Sequence, residues 1–279
     1  MYSVRGILES VKSGKVSIGK AEDLLRVDAV KIIRDIARID VSRYRRRGVP
    51  EIIYAPGKST SQLIDIVTSL VVSDRNSDLR VPIIISRISG HPAIDLKKCL
   101  LALRPKYSKK KFNFVYHESA KVMVIQFDER IIPNSAGESG RVALICAGTS
   151  DIAILDEAEI VLNLSGCETV RFNDVGVAGL HRLKMPLEKI RKFDPDVLIV
   201  AAGMEGALPS VIAGLSDIPV IGVPVSVGYG FGRNGEAAMM SMLQACPLGI
   251  AIVNIDAGIA AGVVGSLFAH RCAKLRTRE

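Results

Sequence analysis

A buried parallel β-sheet is predicted by three stretches of sequence: RVALICAGTSD at residues 141–151, DVLIVAAGMEG at 196–206 and PVIGVPVSVGYG at 219–230. Each contains a short run of mostly apolar residues and then passes into a loop that combines glycine with polar side chains. Strands that are apolar on both faces are typical of sheets covered by helices on both sides.

Two further runs extend this pattern, Val170–Phe172 with its flanks and Gly249–Ile255, and helical patterns lie between all five. Five βα units predict an α/β fold with a doubly wound three-layer parallel sheet. In such sheets ligands bind at the carboxyl ends of the strands. We therefore expect the functional residues in the loops that follow the strands.

Glycine and charge divide the chain near residue 138. Seven of the 24 glycines precede residue 140, and 17 lie at or after it. Residues 1–139 hold 25 basic and 15 acidic side chains, whereas residues 140–279 hold 12 and 14. The small, polar stretch at 134–140 is typical of a linker. We predict a smaller α+β amino-terminal domain at 1–138 and a catalytic domain at 139–279.

The amino-terminal domain shows shorter and less regular patterns. Apolar spacings of three and four residues predict helices at Val4–Lys12 and Lys20–Ile39. A strand at Glu51–Tyr54, a helix at Ser61–Val72 and a strand at Val81–Ser86 follow.

Composition excludes several classes of protein. With 48% hydrophobic and 24% charged residues, the chain is neither disordered nor collagen-like. No apolar stretch reaches the roughly 20 residues that a membrane-spanning helix needs, and Glu9 interrupts the region where an export signal would be apolar. We expect a cytoplasmic protein with no membrane partner. The five cysteines form no C-x-x-C pair, which favours reduced thiols.

The net charge of +8 concentrates in two basic runs, one around Arg43–Arg47 and one around Lys106–Lys111. Such runs bind polyanions or nucleotide phosphates, or they only form a solvated surface, which is the commonest case. Aromatic residues make up 5% of the chain and do not interleave with these runs. We therefore expect no specific nucleic-acid partner.

Two glycine motifs match nucleotide-binding patterns incompletely. Residues 230–235 read G-x-G-x-x-G, but they follow the fourth predicted strand of the domain, whereas the dinucleotide fingerprint follows the first. Residues 57–60, GKST, lack the glycine that a P-loop carries five places before its Gly-Lys pair. A loop that holds some phosphate fits the first motif better than a complete nicotinamide-cofactor site.

Three polar candidates stand beside strand ends. His181 with Arg182 suits a phosphate or carboxylate, although a surface histidine is equally common. Glu205 lies between Gly203 and Gly206, where a carboxylate serves as acid, base or hydroxyl partner. Cys246 follows a helical pattern whose carboxyl end disfavours a thiolate, so residue type and position alone favour a structural thiol there.

The carboxyl-terminal domain resembles the aminoimidazole ribonucleotide carboxylase (PurE-like) superfamily. The resemblance is carried, in order, by Gly148-Thr-Ser-Asp151, His181-Arg182, Leu208-Pro209 and Pro219–Val225. The purine enzymes carry a catalytic histidine directly before the Leu-Pro pair, where this chain has Ala207.

A closer resemblance is to LarB, the carboxylase/hydrolase family of nickel-pincer nucleotide biosynthesis. Its segments match AGTSD at 147–151, DVGVAGLHR at 174–182, GMEGALPS at 203–210, SVGYG at 226–230 and VNID at 253–256. In the amino-terminal domain the resemblance rests on Asp40, Arg43, Arg47-Gly48, Pro50-Glu51 and Gly57-Lys58. It covers nearly the whole chain outside residues 73–135.

The LarB resemblance implies carboxylation of nicotinic acid adenine dinucleotide and release of AMP through a cysteinyl-pyridine adduct. It implies carbon dioxide or bicarbonate as co-substrate, a magnesium ion and a homo-oligomer. Cys246 would be the nucleophile, and Ser150 and Asp151 would shape the carboxylation pocket. Glu205 would remove the ring proton as a base or hold the incoming carboxyl carrier. The groups that hold phosphate or ribose would be Asp174, His181, Arg182 and the backbone N–H groups of Gly228 and Gly230. Thr149, Ser226 and Asp256 would also bind the substrate.

Two other functions fit the sequence. One is the purine reaction, carboxylation or carboxyl transfer on aminoimidazole ribonucleotide, which would have to proceed with Ala207 in place of histidine. The other is a nucleotide-binding module without catalysis, which predicts ligand binding that does not depend on a thiol.

Overall fold

The computed structural model describes residues 4–25, 30–33, 35–40, 43–72, 81–103, 112–127 and 139–276. The chain divides into two compact units, Met1–Ser135 and Ala136–Glu279. Most of the predicted linker at 134–140, and the basic run at Lys106–Lys111, lie outside the described residues.

The first unit contains short helices and two sheets. Its helices are α1 (Val4–Lys12), α2 (Ile18–Leu25), α3 (Arg43–Arg47), α4 (Thr60–Val72) and α5 (His91–Leu103). Its strands are β1 (Val30–Ile33), β2 (Ala37–Asp40), β3 (Glu51–Tyr54), β4 (Ile83–Ser86), β5 (Phe112–His117) and β6 (Val122–Phe127). β1 and β2 form an antiparallel hairpin, and the other four strands form a mixed sheet in the order β3-β4-β6-β5.

The predicted helix at Lys20–Ile39 is wrong. α2 ends at Leu25, and β1 and β2 then pair in the register Val30↔Asp40 to Ile33↔Ala37. Ile33 is buried in the core of this unit, with Ile36 packed beside it. The apolar residues Ile33, Ile36 and Ile39 are three apart because they lie in two strands and the turn between them. A helix would show the same spacing, so the pattern alone does not distinguish the two structures. The other predicted elements of this unit, including the helix at Val4–Lys12, are confirmed.

The second unit is the predicted α/β domain. Its strands are β7 (Arg141–Cys146), β8 (Glu168–Phe172), β9 (Val197–Ala202), β10 (Val220–Pro224) and β11 (Ile250–Ile252). The long helices between and after them are α6 (Ile152–Leu164), α7 (Lys184–Phe193), α8 (Leu208–Leu215), α9 (Glu236–Leu243) and α10 (Gly258–Arg276). All five strands are parallel and lie in the order β11-β10-β9-β7-β8.

Alternate residues of the central strands enter two separate cores. Leu144 and Ile199 pack with α6 and α10 on one face of the sheet. Ile145 and Val200 pack with α7, α8 and α9 on the other face. The three layers confirm the predicted fold class, and the strand order is the flavodoxin-like one.

No helix within the described ranges is long and apolar enough to cross a membrane.

Candidate active site

The loops that follow β7, β8, β9 and β10 are joined to one another at the carboxyl edge of the sheet. The Val175 backbone N–H donates to the Cys146 carbonyl over 3.1 Å, and the Ala147 N–H donates to the Ala201 carbonyl over 3.0 Å. The Val225 N–H in turn donates to the Ala202 carbonyl over 3.0 Å. Residues that are far apart in sequence are thereby brought to one edge.

The order of the strands predicts a crevice between β7 and β9. The helix after β7 packs on one face of the sheet and the helix after β9 on the opposite face. At such a switch point the two loops diverge and leave room for a ligand. The 147–151 and 203–207 loops therefore form the two sides of the candidate site.

Asp151 is the buried acidic group of this crevice, with 3% of its surface exposed. Its Oδ2 accepts the Gly148 backbone N–H over 2.9 Å. Burial raises the pKa of Asp151, the backbone N–H groups of Gly148 and Gly203 lower it, and the charge of Asp256 raises it again. The net effect of these contributions is a raised pKa. This is typical of a carboxyl group that exchanges a proton or lies close to another carboxylate.

Gly203 is the point at which three loops converge. A Cβ atom there would lie 2.5 Å from the Val227 carbonyl oxygen and 3.5 Å from Asp151 Oδ1. Only glycine allows the 147–151, 203–207 and 226–230 loops to approach this closely.

Several predicted site residues are exposed in the loops around Gly203. Glu205 is exposed in the loop after β9, and Thr149 and Ser150 are exposed in the 3₁₀ turn after β7. Gly228 and Gly230 are exposed in the loop after β10. The structure thus brings Asp151, Glu205 and the 226–230 loop to one edge, open to a ligand.

Asp174 and Arg182 are paired within the loop after β8. The Arg182 guanidinium lies 3.3 Å from the Asp174 carboxylate and donates to the backbone carbonyls of Asp174 and Gly176. These contacts hold the loop in shape, and His181 beside them is exposed. The arginine therefore orders the loop as well as placing a positive charge at the edge.

Cys246 does not join this group within one chain. It precedes β11, whose first residue pairs with Val220 at the start of β10, and the Val220 N–H donates to the Gly249 carbonyl over 3.0 Å. Cys246 therefore lies at the amino edge of the parallel sheet, opposite the loops that carry Asp151 and Glu205. Its surface is exposed.

Cys146, which sequence reasoning did not select, is the cysteine at the end of β7 beside the crevice. It is buried, its thiol donates to Asn173 Oδ1 over 3.6 Å, and burial raises its pKa. A thiol that resists ionisation is a poor nucleophile. The only signal for it in the sequence is its place as the last residue of an apolar strand.

The described residues include no group of three or more His, Cys, Asp or Glu side chains that could hold a metal ion. A magnesium ion therefore stays an expectation of the family resemblance.

Comparison with known proteins assigns both units to one family. A family model described as AIR carboxylase matches residues 141–278, and one described as the LarB/PurE-like N-terminal domain matches residues 31–128. An uncharacterized protein of Methanocaldococcus jannaschii is 35% identical over 267 residues, which are 96% of this chain and 97% of that protein. The chain belongs to the LarB family.

The second unit of this LarB-family chain is also similar to purine enzymes. The N5-carboxyaminoimidazole ribonucleotide mutase of Methanocaldococcus jannaschii is 34% identical over 125 residues, 44% of this chain and 74% of the mutase. The mutase of Thermotoga maritima is 26% identical over 147 residues, 49% of this chain and 81% of the mutase. The LarB-family chain is therefore a member of the PurE-like carboxylase and mutase group.

Proposed function

We propose that this protein converts nicotinic acid adenine dinucleotide, carbon dioxide and water into pyridinium-3,5-biscarboxylic acid mononucleotide and AMP. One observation carries the proposal. The PurE-like crevice has Ala207 at the start of α8, where the purine enzymes have their histidine, while the same unit exposes the thiol of Cys246. Catalysis that depends on an imidazole at this position is lost, and catalysis by a thiolate is available.

The carboxylation begins with addition of a thiolate to the ring. A pyridinium ring is electron-poor and does not attack carbon dioxide. When the Cys246 thiolate adds to ring carbon 4, the resulting dihydropyridine has an enamine carbon at position 5. The electron pair of that enamine forms a bond to the carbon of carbon dioxide.

Aromaticity is then restored. A base removes the proton from ring carbon 5, which now bears the new carboxylate, and the ring electrons expel the Cys246 thiolate. Glu205 is the base in this proposal, because it is an exposed carboxylate on the loop whose Gly203 lies against Asp151. No net oxidation or reduction occurs, and the thiolate is regenerated.

Hydrolysis separates the two nucleotides. Water attacks one phosphorus of the diphosphate, the bridging P–O bond breaks, and AMP leaves with the bridging oxygen or with the oxygen of water. Thr149, Ser226, His181 and Arg182, together with the backbone N–H groups of Gly228 and Gly230, are the groups proposed to hold the phosphates and riboses. Magnesium bound to the diphosphate of the substrate stays a prediction.

The thiol must come from a second copy of the chain, because Cys246 lies at the amino edge of its own sheet. Large apolar side chains support contact between copies at both edges. Tyr229 and Phe231 are 82% and 92% exposed at the carboxyl edge, and Leu248, two residues after Cys246, is 91% exposed. We propose a homo-oligomer in which the Cys246 segment of one copy meets the 226–231 loop of another.

The decisive test is incubation with nicotinic acid adenine dinucleotide and bicarbonate, with and without magnesium, followed by mass spectrometry of AMP and the carboxylated mononucleotide. We expect both products from the wild-type chain, and a loss of carboxylation of about a thousandfold or more for Cys246→Ala. Cys272→Ala, which removes a half-buried thiol from α10, is the matched control and should retain activity. Full activity of Cys246→Ala would refute the thiolate mechanism.

A purine reaction is the second candidate, favoured by the similarity to N5-carboxyaminoimidazole ribonucleotide mutases. The same protein is therefore assayed with N5-carboxyaminoimidazole ribonucleotide. Turnover of this substrate by the wild-type chain and by Cys246→Ala alike would favour the purine reaction. Binding of a nucleotide without turnover of either substrate would favour a non-catalytic module.

A further inference from the structure

Asp256 lies on the turn after β11, beside the 226–230 loop. It is half-buried, and its backbone has φ of +54°, a left-handed conformation that aspartate and asparagine adopt more readily than alanine. The family resemblance implies that Asp256 binds the substrate. Its contacts in the structure indicate a different role.

Asp256 binds the neighbouring strand and loop through both its backbone and its side chain. Its backbone N–H donates to the Pro224 carbonyl, at the last residue of β10, over 2.9 Å. Its Oδ1 accepts the Ser226 backbone N–H over 2.8 Å. A single residue thus fixes the point at which the chain leaves β10 and enters the 226–230 loop.

The entry to that loop has little room to move. The Val227 carbonyl oxygen lies 2.5 Å from the position of a Cβ atom on Gly203, and the Ser226 Cα lies 3.1 Å from the position of a Cβ atom on Gly235. The loop therefore packs closely against the backbone at Gly203 and at Gly235. The carboxylate of Asp256 accepts the first backbone N–H of the loop.

We propose that Asp256 is a positioning residue, which holds the 226–230 loop in its ligand-binding shape through the Ser226 N–H and does not contact the ligand itself. The part of this assignment that concerns the ligand rests on the proposed function. The part that concerns the loop does not, because it follows from contacts within the chain.

Two substitutions at Asp256 separate positioning from ligand contact. Asp256→Asn keeps an oxygen that accepts the Ser226 N–H and keeps a residue that tolerates a left-handed backbone, but it removes the negative charge. Asp256→Ala removes the acceptor. Asp194→Ala is the matched control, because Asp194 is also left-handed, at φ +50°, and ends α7, where its carboxylate contacts Arg141 rather than the site loops.

The first measurement is amide hydrogen exchange of peptides that span residues 225–232, in the full chain without ligand. We expect exchange about tenfold faster or more in Asp256→Ala, within about twofold of wild type in Asp256→Asn, and unchanged in Asp194→Ala. Unchanged exchange in Asp256→Ala would overturn the proposal.

The second measurement is the dissociation constant of nicotinic acid adenine dinucleotide by calorimetry. We expect binding about tenfold weaker in Asp256→Ala and near wild type in Asp256→Asn. If Asp256→Asn weakens binding as much as Asp256→Ala while its loop exchanges normally, the carboxylate contacts the ligand and the positioning role is refuted. If the wild-type chain does not bind the dinucleotide, the proposed function fails, and the exchange measurement still tests the positioning role.

Discussion

At the scale of single residues, burial distinguishes the cysteine thiols of the second unit from one another. Cys167 is 7% exposed, and burial raises its pKa to about 12, so it stays a neutral thiol. Cys146 is likewise buried, with a raised pKa. Cys246 is exposed. The fourth cysteine of the second unit, Cys272, is half-buried. Exposure therefore favours Cys246 as the reactive thiol of the proposed reaction, in agreement with the family resemblance.

His270 on α10 gives a prediction of how stability depends on pH. Its Nε2 lies 2.9 Å from the Ser165 carbonyl, and burial lowers its pKa below the ordinary value of 6.5. The folded protein therefore favours the neutral imidazole, and just below pH 6.5 the unfolded chain binds more protons. By linkage, the stability that His270 contributes is fully present above pH 6.5 and is lost as the pH falls toward the folded-state pKa.

This dependence is measured by urea unfolding of the wild type and His270→Gln between pH 7.5 and 5.5. Glutamine can donate to the Ser165 carbonyl but does not titrate in this range. We expect the stability of the wild type relative to the variant to fall as the pH is lowered. Parallel pH dependences in the two proteins would contradict the predicted effect of burial.

At the scale of elements, α6 and α10 pack in close contact because of glycine. A Cβ atom on Gly262 of α10 would lie 2.6 Å from the Ala158 carbonyl oxygen and 2.9 Å from the Val161 Cβ. The two helices cover one face of the sheet. A side chain at this position must push them apart, so the glycine is required by the packing of the layer.

The contrast between two helical glycines makes this testable. Gly262→Ala should lower the free energy of unfolding by about 1–3 kcal/mol, because overpacking displaces backbone. Gly214→Ala, in α8, has no atom within 4 Å of the new Cβ and should raise it by about 0.4–1 kcal/mol through its higher helix propensity. Chemical unfolding of both variants measures the difference, and equal effects of the same sign would refute the close contact.

The order of strands and loops also determines how much of the candidate site could be predicted from the sequence. Asp151, Glu205 and the 226–230 loop each follow a predicted strand, so their meeting at one edge was predictable from the polarity of parallel strands. Cys246 precedes a strand, and this order by itself places it at the opposite edge. The helix predicted at Lys20–Ile39 failed because apolar residues three and four apart also occur in a short hairpin.

At the scale of the whole molecule, the proposed reaction requires more than one copy of the chain. The carboxyl edge of the sheet carries the candidate carboxyl groups, and the amino edge carries the candidate thiol. In the proposed homo-oligomer, a complete site would combine Asp151 of one copy with the Cys246 segment of another copy in a symmetric assembly.

Mixing two inactive variants tests this arrangement. Asp151→Asn and Cys246→Ala are each expected to lose carboxylation, and co-expression in equal amounts should restore activity to about one quarter of the sites, since each site draws its two groups independently. The recovered rate of AMP and product formation, compared with the two variants expressed apart, is the measurement. Absence of any recovery in mixed oligomers would contradict a shared site.

The sequence by itself determined the layered parallel fold, the family and the edge at which a ligand is expected. These follow from local patterns: apolar runs of strand length, the glycine-polar loops behind them, and the alternation with helices. The tertiary structure alone decided that Asp151 is buried beneath Gly203, that Asp256 holds the Ser226 N–H, and that Cys146 is shielded while Cys246 is exposed. Burial, close approach and hydrogen-bond partners depend on which strands are neighbours, and that order is set by packing between segments distant in sequence.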